Sequence, residues 1–204
     1  MKFVFLDVET TGLDPEKYSV FQIAGIISAN GVEEEFDFKV RPYKGESITD
    51  DAKKKTGMTD EILQTFPDPS ETYKKFKDLL LKYDIGTTYK DKAFFIGYNS
   101  DFDMRFMRSF FEYNNDKTFG YTFHWPDLDV CRLIAFQLVA KRSNIKSFKL
   151  TDIYEFIFGH TFEDAHDAMA DIRATKELFE FCCKNMLVLK KPETPSIPVR
   201  NISR

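Results

Sequence analysis

The sequence predicts an α/β or α+β fold: a mixed β-sheet whose first three strands are antiparallel, flanked by helices. Three observations predict it. Apolar, β-rich runs crowd the first forty residues and are joined by a tight Asn30-Gly31 turn. After Arg41-Pro42 the apolar period changes to helical spacing. One more short apolar run, 93–97, is set between helical segments. Strands first, then strands separated by helices, are the pattern of a mixed sheet with helical layers.

The elements follow in order. Residues 3–12 (FVFLDVETTG) begin as a dense apolar run and read as a buried strand that ends at Gly12. Leu13-Asp14-Pro15-Glu16 is a turn signal. Residues 18–28 form a second strand, and 32–40 a third, with Phe36, Phe38 and Val40 on one face. Residues 49–66 divide into two short helices, the first capped by Thr49 and broken at Thr56-Gly57, the second starting at Thr59. Ser70 is the expected cap of the next helix, whose apolar positions are Tyr73, Phe76, Leu79, Leu80 and Tyr83. After the 93–97 strand a helix starts at Asp101 with Phe102, Phe106, Phe110 and Phe111 to one side, and residues 114–126 form a polar, aromatic connection. Helices are predicted over 128–139, 150–158 (stopped by Gly159) and 164–186. Pro192, Pro195 and Pro198 mark residues 190–204 as an extended or mobile tail.

Composition narrows the class. With 204 residues, 43% of them hydrophobic, the chain is expected to form one folded unit with a sizeable core. Its 22 Phe point to a core of large rings. The net charge of −4 supplies no general attraction for a polyanion, so nucleic acid would need a local basic patch or bound metal. Three cysteines without regular spacing argue against a disulfide framework and against structural zinc, and adjacent Cys182 and Cys183 read as core or near-core. No leader and no membrane span is read from the pattern, so a cytoplasmic, intracellular setting is the expectation.

Acidic residues carry the chemistry. Asp7 and Glu9 are two apart on a strand and therefore share a face. Two like charges buried together need a proton or cation to offset them, and a hard divalent cation prefers oxygen ligands. A strand end that reaches water is the alternative. Asp101 and Asp103 follow the 93–97 strand, where α/β folds present their chemistry, although either could be a helix cap. Asp127 and Asp129 read as caps of the helix after them. In the run 164–171 (DAHDAMAD), small residues alternate with His166, Asp167 and Asp171 at a helix start. Helical spacing pairs Asp167 with Asp171. The helix dipole and the carboxylates push the His166 proton affinity in opposite directions, and a His titrating near neutrality can accept a proton from water.

Together the runs FLDVETTGL, YNSDFDMRFM and HDAMAD resemble, in that order, the three motifs of the DEDDh (DnaQ-like) 3′–5′ exonucleases. That group includes the proofreading epsilon subunits of replicases, ribonuclease T and oligoribonuclease-like enzymes. The resemblance covers roughly residues 1–186 and implies an α/β, ribonuclease H-like fold with the exonuclease domain over 1–189. It places Asp7, Glu9, Asp103 and Asp171 as ligands of two divalent cations, Mg²⁺ or Mn²⁺, and His166 as general base in two-metal-ion hydrolysis. It places Thr10, Thr11, Met58, Asn99 and Phe102 at the substrate, with Met58 in a loop that supplies an apolar wedge. Gln22 departs from many relatives, which carry Glu there.

The implied substrate is a single-stranded 3′ end, DNA favoured over RNA, shortened by release of nucleoside 5′-monophosphates. Phe102 is the candidate stacking ring. Lys53-Lys54-Lys55, Lys141-Arg142, Lys146 and Lys149 are candidates for upstream phosphates, each also readable as a solvated helix face. Proofreading in DNA replication, with the Pro-rich tail held by a DNA polymerase subunit, is one expected setting, and homodimerisation is another expectation carried from relatives. The alternatives are an RNA 3′-end trimming exoribonuclease, an inactive nucleic-acid-binding module, and a haloacid-dehalogenase-like phosphatase. The phosphatase start resembles Asp7-Val8-Glu9-Thr10-Thr11 but departs from it at Glu9.

Overall fold

The computed structural model describes residues 1–163 and 167–186. Its centre is a five-stranded sheet in the order β3-β2-β1-β4-β5. Strand β1 (Lys2–Thr10) lies antiparallel to β2 (Val20–Ala29), which lies antiparallel to β3 (Val32–Lys39). Asn30 (φ 55°) and Gly31 (φ 79°) both adopt the left-handed conformation that a two-residue hairpin turn requires. On the other side of β1, the short β4 (Phe94–Gly97) runs parallel, with Ile96 opposite Phe5.

Alternation along β1 sorts its residues between two cores. Val4, Leu6 and Val8 pack with Phe76, Phe106 and Phe110, which come from α3 (Pro69–Lys82) and α4 (Asp101–Tyr113). Phe5 packs on the opposite face with Ile134, Ile172 and Leu178, from α6 (Val130–Gln137) and α8 (Ala168–Met186). Asp7 and Glu9 share parity with Phe5 and so belong to the α8 face. A third small cluster, Phe21, Ile48 and Leu63, seats α1 (Asp50–Thr56) and α2 (Asp60–Leu63) against β2. Phe21, Phe76, Phe95, Phe106, Phe110 and Phe111 are all fully buried. Each such ring contributes ~2 kcal/mol or more of transfer free energy.

Gly25 in β2 is required by close approach: a Cβ there would lie 2.3 Å from the Phe5 carbonyl oxygen and 2.5 Å from the Phe36 ring. The edge strand β3 is clamped through three consecutive glutamates. Glu33 and Glu35 reach Lys176 and Arg173 of α8, while Glu34 meets Lys82 at the end of α3.

The expected caps hold at Thr49, Thr59 and Gly159. Several boundaries move. Asp68, and not Ser70, caps α3, because its carboxylate accepts from the Ser70 N–H at 2.9 Å with Pro69 in the first helical position. Residues 128 and 129 are not helical: Leu128–Asp129 form β5, parallel to β4, and Val139–Asn144 form a 3-10 turn after α6. The 114–126 connection contains a short helix, α5 (Phe119–Thr122), and Phe123 bridges Ala93. Helix α7 (Leu150–Phe158) precedes α8, which is described from Ala168, with the Asp167 carboxylate accepting from the Met169 and Ala170 N–H groups as a cap; the expected start at 164 lies outside the described residues. Cys131, Cys182 and Cys183 are free thiols; Cys182 is buried, but Cys183 faces solvent, against expectation, because it lies on the outer side of α8. No helix among the described residues is long and apolar enough to cross a membrane.

Candidate active site

The site forms where β1 ends. A register shift between Glu9 and Thr10 breaks the β1–β2 ladder there and turns the chain into the 11–19 loop. The Thr10 hydroxyl donates to the Gly12 carbonyl at 2.7 Å and holds the turn. Gly97 at the end of β4 allows the tight passage into α4: a Cβ there would sit 3.0 Å from the Ser100 side chain. Asp129 pins the same passage, its carboxylate accepting from the Asn99 N–H at 3.1 Å and from the Cys131 N–H at 3.0 Å. The expected capping role of Asp129 therefore holds, with the β4–α4 turn as a second client. Asn99 occupies that turn with φ 61° and is solvent-exposed.

Helix α4 thereby delivers Asp103 to β1. Its Oδ1 accepts from the Val8 N–H at 3.0 Å, and the side chain is buried. The carboxylates of Asp7, Glu9, Asp103 and Asp171 lie close enough to act on one another. Burial pushes Asp7 well above the ordinary carboxylate range, and the charges of Asp103, Glu9 and Asp171 push it further. Burial likewise raises Asp103 to about 8, against the lowering effect of the Val8 N–H. Lys55 of α1 opposes both shifts, with its Nζ 3.7 Å from Glu9 Oε2. Gln22 stands opposite Glu9 on β2 and donates through Nε2 to Asp37 at 3.0 Å. A neutral amide there keeps a fifth negative charge out of the cluster.

The donor set is all oxygen, which suits a hard divalent cation. Among the described residues no three His, Cys, Asp or Glu side chains are drawn tightly enough together to hold a metal ion as they stand. Burial and neighbouring carboxylates disfavour ionised Asp7 and Asp103, and a bound cation would reverse that by stabilising their charged forms, so the residues fit a metal in chemistry and charge.

Beside the cluster lies a cleft of about 370 Å³, lined by Glu9, Thr10, Leu13, Tyr18, Lys55 and Phe102 among others. Phe102, partly buried against Phe106 (ring centroids 4.8 Å apart), forms one wall, and Leu13 is 78% exposed. Three expected substrate residues do not line this cleft: Asn99, which stays in the exposed β4–α4 turn, Thr11 and Met58. Thr11 is 1% exposed, and its hydroxyl accepts from the Ser19 N–H at 2.9 Å, so it fastens the loop from behind. Met58 packs against the Phe21–Ile48–Leu63 cluster, because the Gly57 turn aims it inward. The exposed apolar group at the cleft is Leu13, which sequence reasoning passed over as part of a turn.

Lys55 separates from its neighbours: Lys53 pairs with Asp60 at 3.5 Å, whereas Lys55 enters the site. Thr49, Ala52, Lys55 and Thr56 share the cleft-facing side of α1. Lys146 pairs with Asp152, and Arg142 lies over the Phe148 ring. His166 falls outside the described residues.

Residues 4–179 match the exonuclease family. The 3′–5′ DNA exonuclease Cap18 of Escherichia coli is 27% identical over 186 residues, covering 89% of this chain and 91% of that protein. A PolC-type DNA polymerase III of Thermotoga maritima is 26% identical over 178 residues, and this chain spans 11% of the polymerase's length. Among solved structures, E. coli exonuclease I in complex with a dT13 oligonucleotide superposes with a TM-score of 0.71 at 22% identity, over 88% of this chain and 40% of that one. The likeness establishes that the five-stranded sheet and its helices are the exonuclease, ribonuclease H-like fold. With most of its length matched, the chain belongs to the exonuclease family, whose relatives here include 3′–5′ exonucleases.

Proposed function

We propose that this chain is a 3′–5′ exonuclease that releases nucleoside 5′-monophosphates from single-stranded 3′ ends, DNA in preference to RNA. One observation carries the reading. Glu9, one carboxylate of the cluster at the end of β1, opens that cluster onto a cleft of about 370 Å³ that also holds an aromatic wall, Phe102, and an exposed apolar residue, Leu13. That volume is at the small end of ligand pockets and suits one nucleotide. The preference for DNA is supported by the relatives, one described as a DNA exonuclease and one as a DNA polymerase.

Asp7, Glu9, Asp103 and Asp171 would hold two divalent cations, Mg²⁺ or Mn²⁺. Bound there, these supply charge that acidifies a water molecule and offsets negative charge on the phosphate. The chain's own groups do the rest. Phe102 and Leu13 offer faces on which any base can stack, so binding is indifferent to sequence. Asp103, tied to the Val8 N–H, keeps α4 and β1 in register at the reacting end. Lys55 places a cation where the incoming phosphate arrives. His166 accepts the proton of the attacking water as general base. The polymerase contact expected of residues 190–204, like His166, rests on residues outside those described.

The test is a ladder. 5′-Labelled single-stranded DNA and a matching RNA are incubated with Mg²⁺ or Mn²⁺, beside Asp7→Ala, His166→Ala and an EDTA control. Stepwise shortening from the 3′ end, faster on DNA and lost in all three controls, is the expected result. A faster RNA ladder reverses the substrate preference, and no shortening of either polymer overturns the assignment.

A further inference from the structure

The cleft does not end at Phe102. Asp14 borders both it and a second, larger groove of about 880 Å³. One wall of that groove is the 14–17 loop and another is the outer face of α4; Lys44 closes a third side. The walls are fastened to each other, since the Ser109 hydroxyl donates to the Pro15 carbonyl at 2.9 Å. Lys44 is set by its own N–H, which donates to the Ser19 hydroxyl at 2.7 Å.

Four cationic side chains from three separate segments converge there: Lys17, Lys44, Arg105 and Arg108. Three carboxylates also line it: Asp14 is engaged by the Glu16 N–H at 3.0 Å and pairs with Lys17 at 3.9 Å, which leaves Lys44, Arg105 and Arg108 facing Glu16 and Glu112, a surplus of one positive charge. The Arg108 guanidinium lies 4.6 Å from the centroid of the Phe119 ring. Among the described residues Lys44 and Arg105 enter no ion pair, although the protein as a whole is acidic. Unspent positive charge converging on a groove in a chain of net charge −4 marks a place for an anion.

The helix supplies the spacing. Phe102, Arg105, Ser109 and Glu112 fall at steps of three, four and three and lie along one stripe of α4. That stripe carries an aromatic ring in the cleft and, about one turn or ~5 Å further on, a guanidinium in the groove. A stacking face followed by a cation-lined track is how single-stranded nucleic acid is held without regard to sequence.

We propose that this groove is a second subsite, taking the sugar–phosphate backbone of the nucleotides upstream of the 3′-terminal one, with Arg105 and Lys44 as its phosphate contacts. The proposal rests on the exonuclease reading and adds the path of the strand. It assigns upstream binding to α4 and the 14–17 loop, and not to the lysines of the 141–149 region.

The experiment compares the wild type with the double variant Arg105→Glu/Lys44→Glu and with Arg105→Gln/Lys44→Gln. Hydrolysis is measured in Mn²⁺ on a dT12 strand and on the 5′-p-nitrophenyl ester of thymidine monophosphate, which fills the cleft alone. Binding of labelled dT12 is measured by anisotropy in Ca²⁺ over a salt series. The expected result is a fall of at least about tenfold in the ratio of kcat/KM for dT12 to that for the ester. The slope of log affinity against log salt should flatten by about 1.4, from two lost phosphate contacts at ~0.7 each. The Gln pair loses the same two contacts, so its slope should flatten by a similar amount, with a smaller fall in the kcat/KM ratio because no repulsive charge is added. An unchanged ratio and slope, with the wild type hydrolysing both substrates, overturns the groove alone. A wild type that hydrolyses neither substrate overturns the exonuclease reading and this proposal with it.

Discussion

Replacing Asp103 with Asn should make the metal-free protein more stable at pH 8 while removing its nuclease activity. Asp103 is 3% exposed, and burial raises its pKa from 3.8 to about 8. A carboxyl group with a raised pKa binds its proton more tightly in the folded than in the unfolded chain. Its contribution is most favourable below the unfolded value and is lost as the pH climbs toward the folded one. Each pH unit in that interval costs ~1.4 kcal/mol, so on the order of 4 kcal/mol is lost between pH 5 and 8. Asn keeps an amide oxygen to accept the Val8 N–H now bonded at 3.0 Å, and removes both the titration and the charge that helps to raise Asp7. Urea unfolding in EDTA at pH 5, 6, 7 and 8 measures the effect. The wild type should lose stability as the pH rises, and the Asn variant should lose it less steeply, by on the order of 1 kcal/mol per pH unit. Parallel curves, or a variant less stable than wild type at pH 8, would refute the reasoning.

Three further outcomes follow from the same geometry. Lys55→Gln removes the cation 3.7 Å from Glu9 and should tighten Mn²⁺ binding in the absence of nucleic acid by roughly fivefold, an ion pair at this exposure being worth ~1 kcal/mol; weaker binding by calorimetry would show that Lys55 does not compete for the site. Phe102→Ala should raise KM on single strands about tenfold or more, since stacking on an aromatic ring is worth ~1–3 kcal/mol per base, with kcat changed less; a drop in kcat alone would place the ring in packing only. Gly25→Ala forces a Cβ to within 2.3 Å of the Phe5 carbonyl in the middle of the sheet and should cost ~3 kcal/mol or more, read as a lower urea midpoint; an unshifted midpoint would mean that β1 and β2 can separate locally.

The sequence by itself determined the strand that carries Asp7 and Glu9 and their common face, because strand alternation is a local property. It determined the Asn30-Gly31 hairpin and the α4 stripe for the same reason: turn chemistry and helical period are written in neighbouring residues. It also carried Asp103, whose delivery to β1 the structure shows through the Val8 N–H. The β5 strand was hidden, since two residues hold no period and its pairing comes from β4, about thirty positions away. Thr11 and Met58 were assigned to the substrate by motif alone. Only the packed structure decided that Ser19 uses the Thr11 hydroxyl and that Phe21, Ile48 and Leu63 claim Met58. Lys55 and Arg105 divide in the same way. Each is one charge among many in the sequence, and becomes particular when α1 is laid beside Glu9 and the 14–17 loop is fastened to α4. Those placements are long-range contacts between elements, set by which apolar faces bury one another, and no local pattern of residues encodes them.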